Sequence, residues 1–244
     1  MLYEKIIVID THCHLSEKII SSNLSENLKE MHENGVDKFI GTAISPYDVE
    51  FYLKNNNTDI FWTAGIHPVD AENSLLSLSD IDELAKSGKI IAIGEIGTDL
   101  RFPDIENQLE TVELQLKIAL KHDLPVIIHC VKTHYIILKL LEKYDLTYIF
   151  HGFSGSFDFL RRTIKHEKWF YSVNPKFYQT KNQEKKLSLL LNNKKLMLES
   201  DAPFAPGCEV NPLTSFLIHK KFLSDEELKD IADTSEKVFP QTVL

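Results

Sequence analysis

Ile6-Ile7-Val8-Ile9-Asp10-Thr11-His12-Cys13-His14 decides the fold. Its first four residues are apolar and β-branched, the composition of a buried strand, and its last are polar and of metal-ligand type. Side chains alternate faces along a strand, so Asp10, His12 and His14 are expected on one side and Cys13 on the other. Two imidazoles then converge on one point, where they can grip a divalent ion without backbone strain.

The rest of the chain repeats the pattern of an apolar run followed by a helical one. Strands are expected at 38–43, 60–68, 90–95, 125–129, 146–151, 169–173 and 195–201. Helices are expected between them. Ser25 is placed to cap a helix with Leu28 and Met31 inward and Gly35 ending it, followed by a polar helix over 49–54. Ser79 with Asp82 resembles a capping box, as does Ser224 with Glu227. Leu109, Val112, Leu116, Ala119 and Leu120 mark one face of a long helix, and further helices are expected over 135–144, 157–166 and 184–192. About eight strand-then-helix units predict a closed α/β structure, a (β/α)8 TIM barrel. An open doubly wound sheet is the alternative, but its edge strands should be more polar.

The chain has 244 residues, 43% of them hydrophobic, which suits one barrel domain over residues 1–244. No stretch is apolar enough to span a bilayer, and Met1-Leu2-Tyr3-Glu4-Lys5 lacks the features of a signal peptide. A cytoplasmic protein with no membrane partner is expected. Cys13, Cys130 and Cys208 form no CxxC pair, which argues against a disulfide framework and suits a reducing compartment. A net charge of −9 excludes a broad basic face for nucleic acid, so any polyanionic substrate must be attracted locally. Bound cations would do this.

The ligand-type residues fall where the expected strands end: His12 and His14 after the first, His67 after the third, Glu95 after the fourth, His129 after the fifth, His151 after the sixth and Asp201 after the eighth. In a parallel barrel those ends share one rim. With only ten histidines in the chain, such placement exceeds compositional chance. Gathering these groups with no cation would cost several kcal/mol. Mixed imidazole and carboxylate donors suit zinc, manganese or similar ions, and six are too many for one tetrahedral ion. Two ions bridged by a carboxylate would use them all.

Asp10-Thr11-His12-Cys13-His14-Leu15, Gly65-Ile66-His67-Pro68, Gly94-Glu95-Ile96-Gly97-Thr98-Asp99, Pro125-Val126-Ile127-Ile128-His129-Cys130, Phe150-His151-Gly152-Phe153-Ser154-Gly155-Ser156 and Leu198-Glu199-Ser200-Asp201-Ala202-Pro203 together resemble the successive motifs of the TatD family of metal-dependent hydrolases, many of them deoxyribonucleases. The resemblance implies that His12, His14 and Asp201 hold one divalent ion (zinc, manganese or magnesium), that His129 and His151 hold a second, and that Glu95 bridges them. It further implies that Asp201 orients or deprotonates the attacking water, that His67 faces the substrate, and that the substrate is DNA, with no obligate protein partner. Hydrolysis of an ester, lactone or amide on the same site, and a non-catalytic metal-binding module, are the competing readings.

The chain departs from the family pattern in several places. Val131 and Lys132 stand where an arginine is common, Glu209-Val210-Asn211-Pro212 where Arg-Asn-Glu-Pro is usual, Gly152 for a common cysteine and Thr98 for a common leucine. Two of these changes are expected to remove positive charge near the substrate. The turn Gly152 to Ser156 could offer backbone donors to an anion. Arg101 is read as either close to the site or on the surface, His134 as at the rim or simply at a helix start. Arg161-Arg162 and Lys185-Lys186 are expected on solvated helix faces, and Trp62 and Trp169 in packing.

Overall fold

In the computed structural model, which describes residues 8–205, 207, 209 and 211–243, eight parallel strands lie side by side in chain order. They are β1 (Val8–Cys13), β2 (Val36–Ala43), β3 (Ile60–Ala64), β4 (Ala92–Asp99), β5 (Val126–Val131), β6 (Tyr148–Phe150), β7 (Trp169–Val173) and β8 (Leu196–Leu198). The intervening helices are α1 (Lys18–Ser21), α2 (Leu24–Glu33), α3 (Pro46–Lys54), α4 (Leu78–Lys86), α5 (Ile105–His122), α6 (His134–Leu141), α7 (Phe157–Thr163) and α8 (Gln183–Asn192). They are followed by α9 (Leu213–His219) and α10 (Asp225–Val238). This is the (β/α)8 barrel expected from the alternation. Ile6, Ile7, Cys208 and Val210 lie outside the described residues.

Two apolar layers hold it together. Ile9, Ile40, Ile127, Ile149, Phe170 and Met197, one from each of six strands, fill the barrel floor, and Val238 and Phe239 at the end of α10 pack against them. A larger shell, including Phe39, Ile128, Leu116 and Leu138, fills the space between strands and helices. Cys13 and Cys130 belong to this shell as buried free thiols, and burial pushes the Cys130 thiol up to about 11. Trp62 and Trp169 are likewise buried in packing.

The ring closes differently at one place. Among the described residues, β8 and β1 share no ladder pairing. The Ser200 N–H instead donates to the Asp10 carboxylate at 2.8 Å, and the Thr11 hydroxyl donates to the Leu198 carbonyl at 2.9 Å. Beyond the strand ends, Asp201 N–H donates to the His12 carbonyl and His14 N–H to the Ala202 carbonyl. Among the described residues, no helix is long and apolar enough to cross a membrane.

Several local expectations are corrected. The helix expected to start at Ser25 begins at Leu24 with Asn23 as its cap, so Ser25 lies inside it. Ser77 and Asp80, not Ser79 and Asp82, form the capping box of α4, because the apolar stripe begins two residues earlier. Leu120 is 53% exposed rather than inward, since the buried face of α5 runs through Val112, Leu116 and Ala119. Ser224 and Glu227 cap α10 as read, and α1 and α9 went unforeseen because each is short and lacks a capping side chain. Lys186 is buried rather than solvated: its ammonium donates to Thr180 Oγ1 at 2.6 Å and to the Gly155 carbonyl at 3.3 Å, pinning two loops together. Arg161, Arg162 and Lys185 are exposed.

Candidate metal centre

Strict alternation along β1 fails where it matters most. Ile9 belongs to the floor, and the Thr11 hydroxyl lies 2.6 Å from Ser172 Oγ of β7, so Ile9 and Thr11 face the lumen and Asp10 turns to the seam with β8. A register shift between Asp10 and Cys13 then returns His12 to the lumen, where its Nδ1 meets Thr42 Oγ1 at 3.1 Å. Such an irregularity re-aims a side chain, as bulges beside active sites do. Glu95 is also not at a strand end. It lies within β4, inside a second register shift between Ile93 and Ile96. Two residues on, Gly97 lets β4 press against β5, because a Cβ there would sit 1.8 Å from the His129 carbonyl oxygen.

Everything at the mouth converges on the Glu95 carboxylate. His129 Nδ1 lies 2.5 Å from it, His151 Nε2 2.7 Å, His12 Nε2 3.4 Å, His67 Nε2 3.6 Å and His14 Nε2 3.8 Å. Asp201 joins through His14 at 3.9 Å. All seven residues singled out from sequence therefore meet. Candidate ligand atoms of His12, Glu95 and His151, of His12, His14 and Asp201, of His67, Glu95 and His129, and of His151, Glu199 and Asp201 each lie within 4.8 Å of one another.

Most of these rings are gripped from behind by a second residue. His129 Nε2 lies 3.0 Å from Asp99, whose carboxylate is in turn clasped by the Arg101 guanidinium through Nε at 2.8 and 3.0 Å. His151 Nδ1 faces Glu199 at 3.6 Å, and His12 is backed by Thr42. Orienting partners of this kind fix the tautomer and aim of a ligating imidazole. His67 is held in the opposite sense. The Val69 backbone N–H donates to its Nδ1 at 3.2 Å, which leaves the proton of the neutral ring on Nε2.

Burial works against the charge on Glu95, but His151, His67 and His129 outweigh it and hold its carboxyl well below the ordinary range. Burial pushes His14 down to about 3 and His67 down to about 4. Burial also lifts Asp201 to about 6, with the Glu199 carboxylate adding to the effect. Asp201 has a left-handed backbone (φ 51°), a sparsely populated state for a residue with a side chain that costs on the order of 1 kcal/mol. Asn174 Nδ2 donates to its Oδ2 at 3.2 Å.

The donor set fits a divalent cation. Imidazole and carboxylate are its usual partners, and a buried ring nitrogen on the cluster side, His12 Nε2, has no hydrogen-bond partner. Leaving such a group unmatched is costly unless something else meets it.

Sequence reading passed over Asp99, Asn174 and Glu199. Asp99 and Glu199 stand within the quoted motifs, yet only depth distinguishes a backing carboxylate from a ligand. The Gly152 turn proves to serve an anion of the protein itself: Gly152 N–H donates to Glu199 at 2.7 Å, while Phe153 N–H donates to the Ser172 carbonyl. His134 opens α6 and packs edge-on to Phe153 and Phe159, away from the cluster. Arg101 does reach the site, and with Lys176 it lines a mouth cavity of about 560 Å³ whose floor includes Glu95 and Asp201. Positive charge is therefore present at the mouth, supplied after β4 and β7 rather than beside Val131.

Known proteins give the same picture. The family model of the TatD related DNases matches residues 9–235. YjjV of Escherichia coli K12, described as an uncharacterized metal-dependent hydrolase, is 32% identical over 214 residues, spanning 81% of this chain and 80% of that protein. Its crystal structure superposes with a TM-score of 0.84 at 28% identity, covering 96% of this chain and 98% of that one. The deoxyribonuclease Tat-D of Schizosaccharomyces pombe is 31% identical over 199 residues, 73% of this chain and 62% of that protein. The 3'-5' ssDNA/RNA exonuclease TatD of Erwinia tasmaniensis is 26% identical over 215 residues, 84% and 83% of the two chains.

Proposed function

This chain belongs to the TatD family of metal-dependent hydrolases, and from that membership and the geometry of its mouth we propose that it cleaves phosphodiester bonds of DNA in the cytoplasm, as a single domain using two divalent cations. The observation that carries the reading is the Glu95 carboxylate, ringed by five imidazole nitrogens within 4 Å. His12, His14 and Asp201 would hold one cation, His129 and His151 the other, and Glu95 would be shared. When bound, such a pair of zinc, manganese or magnesium ions supplies positive charge that neutralises the phosphate and makes water acidic enough to attack near neutral pH.

The chain's own groups do the rest. Asn174 donates to Asp201 Oδ2 and steadies the carboxylate that takes the proton of the attacking water. His67 is a donor and not a ligand, because its Nδ1 lone pair is used by Val69 N–H. Its Nε2–H is aimed at the mouth, where a phosphate oxygen gains charge as the bond to phosphorus forms. Arg101 keeps Asp99 charged behind His129 and adds a cation to the rim.

The test is elemental analysis of the purified protein together with cleavage of single-stranded DNA by wild type and Glu95→Ala. Bound divalent ions and DNA cleavage lost in the variant are expected. Absence of any bound divalent ion sinks the mechanism. Ions bound, DNA untouched across zinc, manganese and magnesium, and turnover of a simple ester or lactone would transfer the site to small-molecule hydrolysis.

A further inference from the structure

Phe204 stands in an unusual place for a large apolar side chain. It is 61% exposed, yet it lines the cavity over Glu95 and Asp201, with its ring perpendicular to that of His14 at a centroid distance of 4.8 Å. The backbone holds it there: Phe204 N–H donates to the Asp201 carbonyl at 2.7 Å, and Asp201 N–H donates in turn to the His12 carbonyl of β1. An aromatic ring fixed to the backbone of Asp201, and one ring's width from a histidine that touches Glu95, is within a nucleotide's reach of any phosphate bound between them. Val69, which lines the same cavity beside His67, is 48% exposed.

Resting on the phosphodiesterase reading, we propose that Phe204 is a stacking platform for the base of a nucleotide flanking the scissile phosphate. A base in a duplex has both faces covered by its neighbours and cannot lie on a protein ring without unstacking. A base at a single-stranded end presents its face freely. Every base has such a face, so the platform does not read sequence. This arrangement suits an acidic protein, since stacking adds affinity where a basic groove is lacking.

The proposal is tested with single-stranded oligonucleotides carrying an abasic residue on either side of the cleaved bond, against wild type, Phe204→Ala and Phe204→Trp. Because Phe204 is exposed, its truncation opens no void in the core. Wild type is expected to lose between about fivefold and a hundredfold in kcat/KM at one abasic position. Phe204→Ala should show a similar loss on normal DNA, no further loss at that position, and an unchanged content of bound metal, while Phe204→Trp restores both the activity and the abasic penalty. Cleavage by wild type that is indifferent to abasic substitution, or a Phe204→Ala variant as sensitive to it as wild type, overturns the proposal alone. Failure of wild type to cut any DNA overturns the phosphodiesterase reading and this one with it.

Discussion

The two ends of the barrel lumen are built from the same strands two residues apart. Ile127 lies on the floor and His129 at the mouth, and Ile149 with His151 repeats the step; Phe170 and Met197 are likewise followed two residues on by Ser172 and Glu199, polar groups buried behind the mouth. One residue pair along a strand moves a side chain about 7 Å up the same wall. The floor excludes water and ordinary side-chain packing stabilises it. The mouth collects ionisable groups whose burial opposes folding unless they pair or bind cations. Stability and chemistry thus divide by height within each strand, and not by element.

The sharpest way to break this division is at its centre. Glu95→Gln should lower phosphodiester turnover by at least about a thousandfold, with circular dichroism unchanged, because it removes the carboxylate on which every ring converges. Ile149→Ala, on the floor, should show the reverse. A fully buried Ile lost from a closed lumen costs about 2 to 5 kcal/mol, or roughly 10 °C in melting temperature, with kcat within about twofold well below the melt. A floor variant that lost activity before stability would end the division.

His67→Gln tests whether donor and ligand are distinct roles at the mouth. Its turnover should fall about a hundredfold with metal stoichiometry intact, read by elemental analysis, whereas loss of an ion would make His67 a ligand. Asp99→Asn should weaken metal affinity by about ten- to a hundredfold without abolishing turnover at saturating metal. The smallest effect concerns a ring outside both regions. Burial pushes His134 down to about 4, with the Lys186 ammonium adding to the effect. Above pH 6.5 it is neutral folded or unfolded; as pH falls toward about 4 only the unfolded chain takes up the proton, so stability drops across that window. Urea unfolding of His134→Phe at pH 7 and pH 5 should show about 1 to 2 kcal/mol less acid sensitivity than wild type.

Much of this was written in the chain. The strand of 169–173 matches its expected bounds, and the apolar runs ending in His129, His151 and Asp201 signalled both the barrel and its active rim, because burial on both faces makes parallel strands apolar throughout. What escaped were features that depend on three dimensions. Period-two reading put Asp10 beside His12, and only the shifted register of β1 against β2 separates them. Lys186 sits next to Lys185 in sequence, yet the carbonyl and hydroxyl that draw it inward come from Gly155 and Thr180. Glu199 carries no local mark of being a backing group, because that role is defined by His151, which follows β6.

The clasp between the first and last strands has a mechanical consequence. Seven neighbouring pairs in the ring are woven by backbone ladders, while this one is stitched by Asp10, Thr11 and the turn that carries Asp201. Anything that prises the cylinder apart will start at that stitch and draw His12 and His14 away from Asp201 while the other strands still hold. Loss of catalysis should therefore precede loss of structure under gentle denaturation, making the enzyme its own earliest reporter of damage.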